Sequence, residues 1–323
     1  MIAEFIVIIF LALTLDLLFG DPKNKFHPTA WIGSLIAKLT ILSKNSFSNF
    51  EKLGGIFIIL VSSVIVLSLT LILQIGLNLL TTDYVSLIIS IVIGAILLKT
   101  TISIRGMEKH ALSVASSLEK NDILSARNNL SLIVKRDTTT LDKNHIISGV
   151  VESISENTVD GITGPLFYFG LFGIPGAFVY RTINTIDSMI GYKTNIFKNL
   201  GWFGANCDQF LNFIPSRLTA LIMILGAMIL RNNWKKSYQI MFRDGKKTES
   251  LNAGYPMAAI AGALEKKFEK IDHYSLGDGD LSFSIIHIKS AISIMKLSSL
   301  IFTGIIVIPI ILCLSYVGWW IHA

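Results

Sequence analysis

The stretch Tyr180-Arg181-Thr182-Ile183-Asn184-Thr185-Ile186-Asp187-Ser188-Met189-Ile190-Gly191-Tyr192 sets an Arg, an Asn, an Asp and two Thr among strongly apolar segments. Uncompensated polar groups beside hydrocarbon are costly, so such a cluster usually binds something. An arginine fork suits phosphate or carboxylate oxygens, and a neighbouring aspartate can take a proton.

A second constellation spans His145 to Asp160. At about 100° per residue, His145, Gly149, Glu152, Glu156 and Asp160 share one arc of a helix. Ile146, Ile147, Val150, Val151 and Ile154 lie opposite. Two readings stand: a solvated acidic face, or three acids without balancing Lys or Arg that hold Mg²⁺ through oxygens and leave room for phosphate. The arc runs into Asn157-Thr158-Val159-Asp160-Gly161. Upstream, Arg136-Asp137-Thr138-Thr139-Thr140-Leu141-Asp142 offers either a helix cap, from Asp137 or a threonine, or an anion clamp at Arg136.

Further on, Asp208, Asn212 and Arg217 recur at near-helical spacing on an apolar background. They either make packing hydrogen bonds or form an intramembrane site. Two Gly/Pro-shaped loops complete the set, Asp16 to Pro22 with His27-Pro28, and Ser250 to Pro256 leading into Ala258 to Leu264. Gly277-Asp278-Gly279-Asp280 fails as a calcium loop because Lys289 stands where a bidentate Glu is needed. The sequence has no GxxxxGK[ST], GxGxxG, GxSxG or HExxH motif, and its two cysteines, Cys207 and Cys313, lack metal spacing.

The elements that must position these residues are membrane helices. Hydrophobic residues are 52% of the 323 and charged ones 15%, with mean hydropathy +0.61. Leu53–Thr82 and Leu297–Ile321 carry no Asp, Glu, Lys, Arg or His, and each exceeds the ~20 residues a helix needs to cross a bilayer. The net charge of +6 gathers in stretches flanking the apolar segments, which reads as cytoplasmic loops and not as a nucleic-acid face. Glu4 and an interruption at Asp16 argue against a cleavable signal.

Phe5–Phe19 reads as a short helix with a carboxylate near its end. Leu53–Leu80 and Tyr84–Ile104 read as a hairpin of spans around Thr81-Thr82-Asp83. Gly161–Tyr180 holds five Gly and two Pro, which predicts a broken or re-entrant segment. Leu218–Leu230, thirteen residues between arginines, predicts partial insertion. The last span, Leu297–Ile321, ends at the interfacial pair Trp319-Trp320.

The expected fold is all-α: a polytopic integral membrane protein of four to six spans, with broken or re-entrant segments and two cytoplasmic helical insertions. One domain covers 1–323. It comprises membrane helices over 1–104, a cytoplasmic helical region over 105–160, broken membrane segments with the polar motif over 161–230, a cytoplasmic region over 231–296 and a final span over 297–321.

In order, LDLLFGDP with HP, RDTTTLD, ESISENTVDGITGPLFY, YRTINTIDSMIGY, GWFGANCDQFLNFIPSRLTAL and NAGYPMAAIAGAL resemble the membrane family CobD/CbiB of cobalamin biosynthesis, adenosylcobinamide-phosphate synthase. The resemblance runs from about residue 12 to about residue 280. Leu251 stands where the family often has Pro, and Met257 where it often has Glu. The resemblance implies an ATP- and Mg²⁺-dependent ligase joining adenosylcobyric acid to aminopropanol or its phosphate, in the cell membrane with its active site facing the cytoplasm. It also implies association with other corrinoid-pathway enzymes. On this reading Asp187, Asn184, Arg181, Arg136, Asp137 and Arg217 are catalytic, and Glu152, Glu156 and Asp160 hold the metal. Substrate contacts fall to Asp21, His27, Thr138, Asn157, Ser188, Tyr192, Asp208, Asn212, Asn252 and Gly254. The rival expectation is a transporter for a corrinoid or other anionic small molecule, which intramembrane charges and a broken segment also suit.

Overall fold

The computed structural model describes residues 2–44, 47–80, 83–192 and 197–319. The chain divides into two compact units, one of residues 1–103, 164–211 and 306–323, the other of 104–163 and 212–305.

Helix α1 (Ile2–Phe19) buries Ile8, Ile9, Ala12, Leu13 and Asp16, so the carboxylate does sit near its end. Pro28 starts α2 (Pro28–Ser43), where a missing N–H costs nothing, and the His27 ring caps it by accepting from the Thr29 N–H. The long apolar α3 (Ser48–Leu80) precedes α4 (Tyr84–Lys99), which opens on a reciprocal Asp83–Ser86 capping box. Thr81 and Thr82 of the anticipated hairpin turn lie outside the described residues. Gly94 lets α1 and α4 approach closely, since a Cβ there would stand 2.9 Å from Ile8 Cδ1.

In the second unit, α5 (Ile104–Glu119) and α6 (Ile123–Ser131) meet at Asn121-Asp122. Asn121 takes positive φ there and Asp122 caps α6. Helix α7 (Lys143–Thr158) is capped by Asp142, which accepts from the His145 N–H at 2.9 Å. Asp137 does not cap it. Its Oδ1 closes a local turn by accepting from the Thr139 N–H and hydroxyl.

Helical winding continues beyond α7 through a π turn, Val159–Thr163, into α8 (Gly164–Ile190). The Thr163 hydroxyl satisfies the Thr158 carbonyl there, five residues back. The anticipated break falls inside α8. Phe172 and Gly173 leave helical geometry just ahead of Pro175, with Gly173 at φ 63° and ψ −153°. The apolar helices α9 (Trp202–Leu211) and α10 (Phe213–Ile229) follow.

The remaining elements are α11 (Trp234–Asp244), α12 (Gly254–Leu264), an antiparallel hairpin of β1 (Phe268–Lys270) and β2 (Tyr274–Leu276), α13 (Ile285–Phe302) and α14 (Ile308–Tyr316). A π turn, Thr303–Val307, joins α13 to α14. The final apolar helix thus begins at Ile285, twelve residues before the span expected from Leu297, because its early charges are compensated. Lys289 and Lys296 pair with Glu119 and Glu108 of α5. Trp320 and Ile321 lie outside the described residues, while the Trp319 indole donates to the Leu171 carbonyl.

Five helical stretches among the described residues are long and apolar enough to cross a membrane, six if α9 and α10 together count as one span. The protein is an all-α polytopic membrane protein.

Candidate functional site

Within the first unit, the opening motif occupies the last turns of α8. The Arg181 guanidinium donates to Asn184 Oδ1 at 3.1 Å, and Asn184 Nδ2 donates to Asp208 Oδ1 on α9 at 3.2 Å. Asn184 is buried, so this Arg–Asn–Asp chain has the mutual satisfaction that a low-dielectric setting demands. Asp187 is half-buried one turn on, where α8 ends with the Gly191 N–H bonded to its carbonyl. The Tyr192 phenol donates to the Ser188 backbone carbonyl at 2.9 Å.

A second cluster joins the end of α1, the following loop and the end of α4. Lys99, only 7% exposed, places Nζ 3.3 Å from Asp21 Oδ1 and 3.8 Å from Asp16 Oδ1. The Ser103 hydroxyl donates to Asp21 Oδ2 at 2.6 Å. His27 Nδ1 is committed to the Thr29 N–H, which turns Nε2 toward Asp21 at 3.6 Å. Burial pushes the Asp21 carboxyl up, but the facing His27 ring, the Ser103 hydrogen bond and the Lys99 charge outweigh it and hold it at about 2. Sequence reasoning singled out Asp21 and His27 but missed Lys99. A lysine closing an apolar run reads as an interfacial charge until its two aspartates are seen beside it.

In the second unit the acidic face of α7 is only partly solvated, with Glu156 and Asp160 half-buried. Glu152 is 4% exposed, and the helix buries residues on all sides. Glu152 Oε1 accepts from Arg136 at 3.1 Å and from the Ser148 hydroxyl at 2.6 Å, and Oε2 accepts from Tyr274 at 2.7 Å. Arg136 lies over Gly149, where a Cβ would stand 2.6 Å from its NH2 nitrogen. Burial, then the Glu152 charge and hydrogen bond, push the Tyr274 phenol far up, so it remains a donor. Tyr274 was not foreseen. A tyrosine in a short polar stretch carries no signal that a hairpin will fold it back onto α7.

This arrangement bears on the metal assignment. Among the described residues no group of three or more His, Cys, Asp or Glu side chains gathers to hold a metal. Glu152 is held by Arg136, Ser148 and Tyr274, and so does not fit a ligand role. Asp160, in the π turn, accepts from Asn212 Nδ2 at 3.2 Å. Thr138 and Asn157 turn to backbone carbonyls, those of Arg127 and Ser153.

Arg217 is stacked between two rings, its guanidinium carbon 3.9 Å from the Phe213 centroid and 4.4 Å from that of Tyr255. Its NH1 donates to Asn252 Oδ1 at 2.7 Å and its NH2 to the Leu251 carbonyl. Arg217 therefore fastens the 250–254 loop to α10. Gly254 is required in that loop, because a Cβ would stand 2.4 Å from the Gly245 carbonyl. Of the residues singled out, Asn184, Asp187 and Asp208 belong to the first unit, and Glu156 and Arg217 to the second.

The CobD/Cbib protein family matches residues 9–298. The chain belongs to that family. A "Probable cobalamin biosynthesis protein CobD" of Methanothermobacter thermautotrophicus is 41% identical over 298 residues, 92% of this chain and 95% of the relative. A "Cobalamin biosynthesis protein CobD" of Dehalococcoides mccartyi is 39% identical over 275 residues, 85% and 87% of the two chains. One of the same name from Clostridium perfringens is 36% identical over 315 residues, covering 95% and 98%. No solved structure matches the chain. The CobD/Cbib match spans every polar cluster described above except the Trp319 contact, so the clusters belong to the family's shared segment and not to an appended one.

Proposed function

We propose that this protein acts in cobalamin biosynthesis as an amide-forming ligase. It would join the propionate carboxylate of adenosylcobyric acid to the amine of (R)-1-amino-2-propanol or of its O-phosphate. The observation that carries the reading is family membership over residues 9–298, shared with proteins named for cobalamin biosynthesis. The paired arginine and carboxylate clusters are chemistry that such a reaction needs.

ATP with Mg²⁺, when bound, would supply the phosphoryl group that makes the carboxylate electrophilic. Magnesium commonly meets one or two protein carboxylates plus substrate phosphates and needs no protein cage. Glu156 and Asp160 are proposed for that contact, and Glu152 is not. Arg136, held by Glu152, and Arg181, held by Asn184, would each present fixed donors to phosphate or carboxylate oxygens. Asp187 would take the proton that the ammonium must lose before its nitrogen attacks the acyl carbon and displaces phosphate. Arg217, with both faces covered, would order the Asn252–Gly254 loop. The basic stretches flanking the apolar segments support a cytoplasm-facing active site.

Purified protein given adenosylcobyric acid, ATP, Mg²⁺ and each amine in turn should yield the amide by mass. Asp187→Ala and Glu156→Ala should abolish product while the protein still inserts into membranes. Near-normal turnover by both variants would refute the roles. The kink at Phe172–Gly173 keeps a transport reading in view, and uptake of labelled corrinoid by proteoliposomes without amidation would establish it instead.

A further inference from the structure

Helix α11, WKKSYQIMFRD, divides its circumference in three. Ser237, Ile240, Met241 and Asp244 are buried. They face α12, where the Ser237 hydroxyl donates to the Ala259 carbonyl at 2.7 Å and Gly262 lets the backbones touch. Beside the buried face runs an aromatic ridge of Trp234, Tyr238 and Phe242, 41%, 50% and 59% exposed. At about 100° per residue these three fall within an arc of about 80°. The Tyr238 and Phe242 rings are 4.7 Å apart. Lys235, Lys236, Gln239 and Arg243 take the third side, all exposed.

Aromatics exposed in this pattern need an environment that is apolar on one side and wet on the other. The chain immediately before α11 says which environment that is. Met228, Ile229 and Leu230 at the end of the apolar α10 are 45%, 54% and 38% exposed, so the apolar surface runs to the last turn of that helix. A tight turn follows. Arg231 adopts φ 59° and the Asn232 N–H returns to the Ala227 carbonyl, after which Asn233 caps α11. Trp234 thus begins where the exposed apolar surface of α10 stops.

The charge is one-signed as well. No Asp or Glu occurs between Asp208 and Asp244. Lys236 pairs with Glu265, and Arg243 and Lys247 with Asp244. Arg231, Lys235 and Lys246 form no ion pair among the described residues.

We infer that α11 is an in-plane anchor that lays Trp234, Tyr238 and Phe242 into the headgroup layer of the membrane and sets Arg231, Lys235 and Lys246 against anionic phospholipid headgroups. The occupant of this face is the lipid surface, continuous with the lipid around α10. An interfacial helix of this kind carries basic residues on one flank and large apolar or aromatic ones on the other.

Nitroxide labels test this in the full chain. In a Cys207→Ser, Cys313→Ser background, single cysteines at 234, 235, 238, 239 and 242 are labelled and the protein placed in nanodiscs of phosphatidylcholine, with or without phosphatidylglycerol. Labels at 234, 238 and 242 should relax with oxygen and resist an aqueous nickel chelate, and those at 235 and 239 should do the reverse. The label at 238 should move deeper when phosphatidylglycerol is present, and Arg231→Gln with Lys246→Gln should erase that shift. Neither substitution touches the buried face, so loss of folding would not mimic the result. Equal access of the nickel chelate to all five positions would overturn the inference. So would ridge labels shielded from both reagents, which would mean that another copy of the chain covers the ridge. Depth independent of phosphatidylglycerol would overturn the anionic contact.

Discussion

The Tyr274 hydroxyl donates to Glu152 Oε2 at 2.7 Å, joining residues 122 positions apart. Through it the small hairpin of β1 and β2 becomes part of the acid's environment. Both Glu152 oxygens are then satisfied, Oε1 by Arg136 and Ser148 and Oε2 by Tyr274, in a position only 4% exposed. A buried carboxylate holds its charge only under such compensation.

Breaking this set from one side should be far worse than removing it. Arg136→Met leaves Glu152 buried without its counter-ion, and removing one partner of a buried pair costs about 3–5 kcal/mol. Arg136→Met combined with Glu152→Leu should recover much of that loss. Tyr274→Phe, which leaves Oε2 without its donor, should cost about 1–3 kcal/mol. Denaturation of the detergent-solubilised protein, arranged as a double-mutant cycle, reads all three. Additive effects at 136 and 152 would show that the pair is not coupled.

Arg217 leads to a different outcome. Each ring contact is worth about 0.5–2 kcal/mol, and a lysine can neither stack between Phe213 and Tyr255 nor fork to Asn252 and the Leu251 carbonyl. Arg217→Lys should therefore behave nearly as Arg217→Ala. Both should show faster amide exchange over residues 250–254 with little change in the exchange of α7. Exchange at wild-type rate in Arg217→Lys would mean that charge alone holds the loop.

The kink in α8 rests on one glycine. At φ 63° and ψ −153°, Gly173 occupies backbone space that other residues enter at a cost of about 1–3 kcal/mol. Gly173→Ala should lower the melting temperature by the corresponding amount. Gly161→Ala is the control, because a Cβ there meets nothing within 4 Å. Equal melting temperatures for the two variants would remove the strain argument.

How much of this was legible in the sequence follows from the range of each interaction. Apolar runs announce spans because the bilayer sets their length, and Gly173-Ile174-Pro175-Gly176 announces the kink because backbone sterics are local. The break at Asn121-Asp122 is local in the same way, through a positive φ and an N-cap. The environment of α7 was not. Its acids read equally well as a solvated face, and only Arg136 from the preceding loop and Tyr274 from a distant hairpin decide otherwise. Lys99 and Arg217 fall in the same class. Their types were visible, but Asp16 and Asp21 beside one, and Phe213 and Tyr255 around the other, are tertiary facts.

The Asp21 network makes its own claim about acid stability. Its carboxyl sits at about 2 against an ordinary 3.8, because the favourable His27, Ser103 and Lys99 contacts exceed the cost of burial. A depressed carboxylate stabilises the folded state above the unfolded value, and that stabilisation fades as pH falls toward the folded one. The window therefore runs from about pH 4 down to about pH 2. Wild-type protein should lose melting temperature across it more steeply than Asp21→Asn, which has no proton to take up there, and the two curves should draw together at the acid end. Lys99→Met should flatten the same window by removing the buried cation that Asp21 faces at 3.3 Å. Parallel curves for wild type and Asp21→Asn would show that the cluster stores no pH-dependent stability, and that His27, Ser103 and Lys99 hold the aspartate no better than water does.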